Sequence, residues 1–502
     1  MRKTAFQFFI CALVLSAALL LHQFPMGSTA LRVQAAPQEA AEELTLTVRA
    51  GDNNAPQLTD NNYNSIVRVP GGQTLTVSAE KPIAGLYIEW ADPGEHALWT
   101  LSANGQSYTG GSNDFLHEYA QMPGGSAAEC TLTLEEERAI ANIHGYTEGE
   151  LPPDVQVWEP PLARADFLAL VTHPDDELLY LGGVIATYAG EQKLRVQVAH
   201  MVNFRVDEPI REHEKLDGLW VLGVHAYPVT FPFEKDVYSE SLAQAEKQYD
   251  RDAVTACVTE AIRRFQPLVL VTQDFNGEYG HGAHMLLAHA VADALEEAPD
   301  AAARPESATQ YGVYDVPKAY FHLYAENKIY LDMRAPLSFA DGQNALEIVT
   351  YAFKKHVSQE YTKYYVSDDV AQKHRNIADF GLYRTLVGTD TTADMTEHIT
   401  TYGEQERIAL EEAEAREAEL RRQEEEKAKE EALAAQHALE KEEAEAVIRE
   451  EEEIRQSTGR TGLIIGITVG VLVLIIPLVI SNTVRWSDAK KRRSRRNRQR
   501  RK

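Results

Sequence analysis

Between residues 44 and 144 the chain repeats short runs in which every second side chain is apolar. Such runs stand at 44–48, 74–78, 86–90, 97–102 and 130–134, the spacing of half-buried strands. Clusters that favour turns separate them: Gly51–Asp52–Asn53–Asn54, Pro70–Gly71–Gly72, Asn104–Gly105 and Pro123–Gly124–Gly125. Repeated strands at this interval predict an all-β sandwich over 44–147, closed by a Pro- and Glu-rich linker at 148–161.

The period then changes. Residues 166–171 are almost continuously apolar, as in a strand buried on both faces. A helix is predicted from about Leu178 through Gly182–Gly183 to Tyr188, followed by a strand at 194–202. A helix carrying Arg211, Glu214 and Leu222 leads into Gly223–Val224 and a third strand, and a helix at 253–265 runs into a strand at 268–272. This alternation predicts right-handed crossovers and a Rossmann-like parallel sheet, an α/β unit over 160–398. No GxGxxG follows any of these strands, which excludes a dinucleotide fingerprint.

Both ends have another character. Arg2 and Lys3, an apolar run at 5–21 and small residues at 33–36 predict a secretory signal peptide over 1–35. Residues 404–456 are Glu, Ala, Arg and Lys almost without Gly or Pro, and pairs such as Glu412–Arg416 and Glu417–Arg421 support helix. The apolar residues are too sparse for a steady heptad seam, so a charged helical stalk or weak coiled coil is expected, with an acidic disordered linker as the alternative. Residues 462–484 are apolar enough for one transmembrane helix, and the basic stretch 485–502 reads as a cytoplasmic tail. The expectation is a single-pass protein of the cell membrane, its catalytic part extracytoplasmic. Next to a membrane helix, anionic lipid explains the basic tail better than nucleic acid, which is not expected as a partner.

Net charge changes the picture little: it is −27, concentrated upstream of the apolar segment 462–484. Three cysteines, Cys11, Cys130 and Cys257, exclude a disulfide framework and a thiolate zinc site.

The chemistry clusters at two predicted strand ends. After 166–171 comes Thr172–His173–Pro174–Asp175–Asp176–Glu177; after 268–272 comes Asn276–Gly277–Glu278–Tyr279–Gly280–His281–Gly282–Ala283–His284. Carboxyl ends of parallel strands are where open α/β sheets bind ligands. A His and an Asp three apart can face one metal, with Asp175 beside it. Two histidines at the start of a helix share a face, so one can ligate while the other reaches the substrate. A carboxylate beside a metal-activated water can take its proton. The competing account of Asp175 or Asp176 is helix capping.

Together, HPDDE after the first strand, Arg211 and Glu214 before Leu222–Gly223–Val224, and YGHxxH after the fourth strand resemble the PIG-L (LmbE-like) deacetylase family over about 166–398. The resemblance implies metal ligands at His173, Asp176 and His284, and a general base at Asp175. It also implies oxyanion stabilisation by His281 and Tyr279, and substrate contact by Arg211. His356–Val357–Ser358–Gln359 and Phe380–Gly381–Leu382–Tyr383 also look family-like, without an assigned role. The chain departs from the family at Ala283, where HPDH becomes HGAH; Asp274 or Glu278 would have to replace the lost aspartate beside His281. Earlier, Gln57–Ser65 and Pro82–Trp90 resemble a discoidin or galactose-binding-like module. In it Trp90, Trp99 and Tyr108 are either a sugar platform or core.

The reading is a metal-dependent hydrolase removing acetyl from an N-acetylated glycan or glycolipid of GlcNAc type, at the outer face of the membrane. A catalytically silent glycan-binding protein and a de-esterase are the alternatives. Zinc suits two His and one carboxylate, as does ferrous iron, and an oxidising exterior favours zinc.

Overall fold

The computed structural model describes residues 39–91, 97–359 and 361–457. The expected leader, membrane span and basic tail lie outside these residues. Among the described residues no helix is long and apolar enough to cross a membrane.

The first part is a pair of antiparallel sheets. One orders Glu43–Leu44, Arg138–Tyr146, Gly85–Trp90 and His117–Gln121, with Val67–Val69 added to Arg138–Tyr146. The other orders Asn53–Asn54, Thr47–Ala50, Thr74–Ile83, Ala127–Leu134, Trp99–Ala103 and Gln106–Gly110. Alternation packs Leu75, Val77, Leu101 and Leu132 inside. Trp90 and Trp99 are fully buried and both indoles donate at 2.7 Å to Glu118 Oε2. Two of the three aromatics proposed as a platform are therefore core, and only Tyr108 is exposed.

The strand Gly85–Trp90 breaks the alternation, being buried at every position. Leu86, Ile88 and Trp90 fill the sandwich core, while Tyr87 packs with Val155 of the following linker and Glu89 bonds Tyr63 and Asn142. The hydrophobic core is continuous from the sandwich through Phe115 and Trp158 into the second part.

That second part is a seven-stranded sheet in the order Val229–Phe233, Val196–Val202, Phe167–Val171, Val269–Thr272, Lys318–His322, Asp379–Thr385, Lys328–Tyr330. The first five are parallel, in the chain order 3-2-1-4-5, and the last two are antiparallel. Order reverses between Phe167–Val171 and Val269–Thr272, so a crevice opens beyond their carboxyl ends. The helix expected from Leu178 to Tyr188 is instead broken into Asp176–Leu179, Gly182–Ile185 and a π-turn at Ala186–Glu191. The glycines explain why: a Cβ on Gly182 would meet Val349 Cγ1 at 2.5 Å, and one on Gly183 would meet Met333 Sδ at 2.5 Å. Close helix packing has taken precedence over helix continuity.

The acidic segment is helical over Tyr402–Ser457, 56 residues, about 84 Å at about 1.5 Å each. Its side chains are exposed from Gly403 to Arg455, and pairs such as Arg407–Glu411 at 2.8 Å and Arg421–Glu417 at 2.5 Å lace its surface.

Candidate active site

Two loops meet at the crevice, and Gln273 joins them: its Oε1 accepts Thr172 N–H at 2.9 Å and Thr172 Oγ1 at 2.6 Å. Both groups are fully buried, so the end of one strand sets the position of the other. From this seam the sequence turns His173, Asp175 and Asp176 into the crevice on one side, and Tyr279, His281 and His284 on the other.

His173 Nδ1, Asp176 Oδ2 and His284 Nε2 form a triangle with edges of 3.0, 3.2 and 3.2 Å. A tetrahedral ion with bonds of about 2.0 Å needs ligand atoms about 3.3 Å apart. Two imidazoles and one carboxylate at this spacing fit zinc in both donor type and size. The electrostatics agree. Burial alone would lower the pKa of His284, yet Asp176 and Glu278 raise it to about 10. Burial would raise Asp176, but the charges of His284 and His173 hold it well below the usual carboxylate range. The carboxylates of Asp176 and Glu278 draw positive charge onto the imidazoles between them, a role that a divalent cation would fill.

Each imidazole of the triangle is oriented from behind by a carboxylate. His284 Nδ1 lies 2.7 Å from Glu278 Oε2, and His173 Nε2 lies 3.4 Å from Asp236 Oδ2. Such carboxylate–histidine pairs fix the tautomer that leaves the other nitrogen free for a metal. Glu278 reaches this place because the 276–280 turn reverses sharply, with Glu278 at φ +50° and Gly277 at φ +71°. A Cβ on Gly277 would meet the His281 carbonyl oxygen at 2.3 Å, so glycine is required there.

His281 is the third histidine of the cluster, and all three offer nitrogens within 4.8 Å of one another. Its own bonds separate it from the ligand set. Nδ1 accepts the Ala283 N–H at 3.1 Å as the cap of helix Gly282–Glu297, and Nε2 faces Asp236 Oδ2 at 3.0 Å. The partner for His281 is thus neither Asp274 nor Glu278, the two candidates offered by sequence proximity, but Asp236. Burial lowers the pKa of His281, and Asp236 acts in the opposite direction. Asp236 itself stays ionised: burial opposes this, but hydrogen bonds from His173 and His281 bring it to about 2.

Asp175 does not cap a helix. It occupies the cap position of Asp176–Leu179 without a side-chain cap bond and sits at φ +113°, a backbone strained for a residue with a Cβ. Three contacts hold it. Its N–H donates to Glu177 Oε2 at 2.9 Å, its Oδ2 accepts Arg211 Nη2 at 2.9 Å, and the same guanidinium nitrogen bonds the Pro174 carbonyl. Burial pushes Asp175 up to about 6, against the pull of Arg211. Neighbouring carboxylates are therefore split in role: Asp176 is a permanent anion, and Asp175 titrates in the range of a general base. Behind them Glu177 bonds His200 Nε2 at 3.1 Å and lies near His356.

His173, Asp175, Asp176, Arg211, Asp236 and His281 line a cleft of about 320 Å³, together with Tyr238, Gln359 and Tyr364. His284 lies behind it, fully buried. Tyr279 lies on the wall, bonded to Tyr364, and its hydroxyl is kept protonated mainly by burial. The 356–359 stretch acquires a position: Glu214 accepts the Ser358 N–H at 2.6 Å and the Ser358 hydroxyl at 2.5 Å, which sets Gln359 in the wall. Phe380 packs on His322, which in turn bonds Glu278. Sequence reasoning missed Asp236, Glu278 as the partner of His284, and Tyr364; the charged run around Asp236 has no period that would single it out.

Residues 168–295 match the family described as "PIG-L: GlcNAc-PI de-N-acetylase". The chain carries a PIG-L-family domain. All seven residues named from the sequence fall inside the PIG-L match. Over 212 residues the chain is 30% identical to 1D-myo-inositol 2-acetamido-2-deoxy-alpha-D-glucopyranoside deacetylase 1 of Catenulispora acidiphila, covering 37% of this chain and 63% of that protein. It is 29% identical over 174 residues to deacetylase 2 of the same name from Saccharopolyspora erythraea, covering 30% and 62%. The chain therefore spans less than two thirds of the length of these relatives. Among solved structures, N,N'-diacetylchitobiose deacetylase from Pyrococcus horikoshii aligns at 17% identity over 39% of this chain and 72% of that one, with a TM-score of 0.31.

Proposed function

We propose that this chain is a zinc-dependent hydrolase that removes the acetyl group from an N-acetyl sugar of GlcNAc type. The observation that carries the reading is the triangle of His173, Asp176 and His284, with an ionisable Asp175 fixed beside it in a sugar-sized cleft. The named relatives support the choice of an acetamido sugar.

A zinc ion held by these three residues would supply Lewis acidity for water and for the acetamide carbonyl. Asp175, ionised above its pKa of about 6, accepts the proton of the attacking water. Arg211 keeps that carboxylate in place. His281 carries its proton on Nε2, because Nδ1 accepts the Ala283 N–H. That proton is donated to Asp236, so the donor the cleft wall offers to the carbonyl oxygen as charge develops there is the Tyr279 hydroxyl, with His281 held beside it. When the C–N bond breaks, the amine takes the proton that Asp175 accepted from water, and acetate and free amino sugar leave. The leader, span and tail read from the sequence extend the proposal to an enzyme held at the outer face of a membrane, with substrate in the cell envelope.

The test is release of acetate from N-acetylglucosaminyl substrates by the purified chain, with and without chelator. Turnover lost on chelation and restored by zinc is expected; chelator-insensitive turnover, or none on any acetamido sugar at full zinc occupancy, refutes the reading. For topology, protease added to intact cells should release a fragment containing residues 173–177 and leave the tail protected.

A further inference from the structure

The sandwich touches the catalytic sheet through a polar joint. His117, on the sandwich strand His117–Gln121, places Nε2 2.7 Å from His213 Nδ1. Its other nitrogen meets the Tyr87 hydroxyl and Gln156 Oε1, each at 2.9 Å. The Tyr63 ring stacks on His213 with centroids 4.1 Å apart. One turn along the same helix, Asp217 Oδ1 accepts Gln156 Nε2 at 2.6 Å. His117 is 0% exposed and His213 2%. A hydrogen-bonded pair of neutral imidazoles buried between a sandwich strand and a helix is costly unless both nitrogens in contact are satisfied, and here they satisfy each other.

The helix that carries His213 is Ile210–Val221. At about 100° per residue, His213 lies about 200° round from Arg211, whereas His213 and Asp217 share one face. The helix therefore presents His213 and Asp217 to the sandwich and Arg211 to the cleft, where it bonds Asp175 Oδ2 and the Pro174 carbonyl. Asp175 holds a strained backbone at φ +113°, which persists only while its surroundings fix it. Leu216 and Leu219 also bury this helix, but apolar contacts tolerate sliding where a bond between two rings does not.

We propose that His213 is a positioning residue. Held by His117 of the sandwich, it fixes the helix at the setting in which Arg211 grips Asp175, so the β-sandwich is a working part of the deacetylase site. The inference rests on the hydrolase reading above for its kinetic readout.

The test is a double-mutant cycle on the full chain at saturating zinc, with metal content and melting temperature measured for each variant. His213→Ala should lower kcat about tenfold, within the cost of small misplacements at a catalytic group, with zinc occupancy unchanged. His213→Gln, which can still meet His117, should recover most of the loss. In an Arg211→Ala background, His213→Ala should cost less than about twofold, because its route to Asp175 is gone. His117→Ala, which leaves the helix sequence intact, should reproduce the single-variant loss and covers the case in which His213→Ala does not fold. An equal fold-loss in both backgrounds, or none in either, overturns the proposal. Amide exchange across 173–179 separates the two readings: if the parent binds zinc yet hydrolyses no acetamido sugar, the hydrolase reading fails. Faster exchange there in His213→Ala would still support the joint, and unchanged exchange would sink it.

Discussion

Asp236→Asn removes one negative charge and almost no volume from the back of the active site. One oxygen of Asp236 serves two imidazoles, His281 Nε2 at 3.0 Å and His173 Nε2 at 3.4 Å, while the other accepts the Tyr249 hydroxyl at 3.3 Å. Hydrogen bonds to a charged group contribute about 1.5–3 kcal/mol each, roughly tenfold to 150-fold in an equilibrium or a rate. The asparagine keeps a neutral acceptor for both imidazoles only by turning its NH2 toward the Tyr249 hydroxyl, and in the opposite flip it turns that donor toward both imidazoles. Zinc affinity should fall about tenfold to a hundredfold, the usual cost of losing a carboxylate behind a ligating histidine. Turnover at saturating zinc should also fall about tenfold, because His281 loses its partner. Glu278→Gln is the control: Glu278 bonds the ligand His284 and His322 but not His281. It should weaken zinc binding and leave saturated turnover near that of the parent. Competition titration against a chromophoric chelator gives the affinity, and acetate release at saturating zinc gives kcat. If Asp236→Asn and Glu278→Gln show the same turnover once saturated, the Asp236–His281 contact plays no part in catalysis. If Asp236→Asn binds zinc as the parent does, the 3.4 Å contact to His173 carries no weight either.

Other substitutions separate the remaining roles. His173→Ala and Asp176→Ala should each lose the metal and the activity together, which elemental analysis checks; full zinc occupancy in either removes it from the ligand set. Asp175→Asn should keep zinc and lose about a hundredfold or more in turnover. With Asp175 at about 6, kcat/KM of the parent should fall as pH drops through about 6, since only the ionised form accepts a proton, and a flat profile across pH 5–7 would exclude it as the base. Asp217 gives a stability test: burial, with Glu89 nearby, raises it from 3.8 to about 7. Between those values the unfolded chain releases the proton while the folded one retains it, so the fold loses stability as pH rises, on the order of 4 kcal/mol in all. Asp217→Asn should therefore match the parent near pH 4 in urea midpoint and exceed it progressively up to pH 7; parallel curves would refute the shift.

The elements with a strict period were readable from the chain, and those set by close contact were not. Strands such as Thr74–Ile83 show their pattern because one side faces core and the other solvent, and Phe167–Val171 because both sides are buried. The broken helix after HPDDE was misread because Gly182–Gly183 looked like a tolerated interruption. They are where Val349 and Met333 press against the backbone. At the site, spacing and family motif marked seven residues that lie around the crevice, because a strand end and a helix start fix the directions of most of them locally. Asp236 escaped because nothing local directs it: it lies in a loop after Val229–Phe233, and only tertiary packing aims it at two histidines. Glu278 was considered as a partner for the wrong histidine, since a left-handed turn carries it away from His281 and beneath His284.

The strand Gly85–Trp90, buried at all six positions, bears on how such a chain can be rearranged. An antiparallel sandwich that stands alone can keep one water-facing side on each sheet. Here the outward side of that strand carries Tyr87 and Glu89, with Tyr146 close by on the neighbouring strand, all shielded. Cut free at the linker, the sandwich would put an apolar, tyrosine-bearing face into water and invite self-association. Recombination that exchanged this sandwich for another would have to replace its counterpart surface at the same time. Exchanging one half alone would leave that shared surface without its cover.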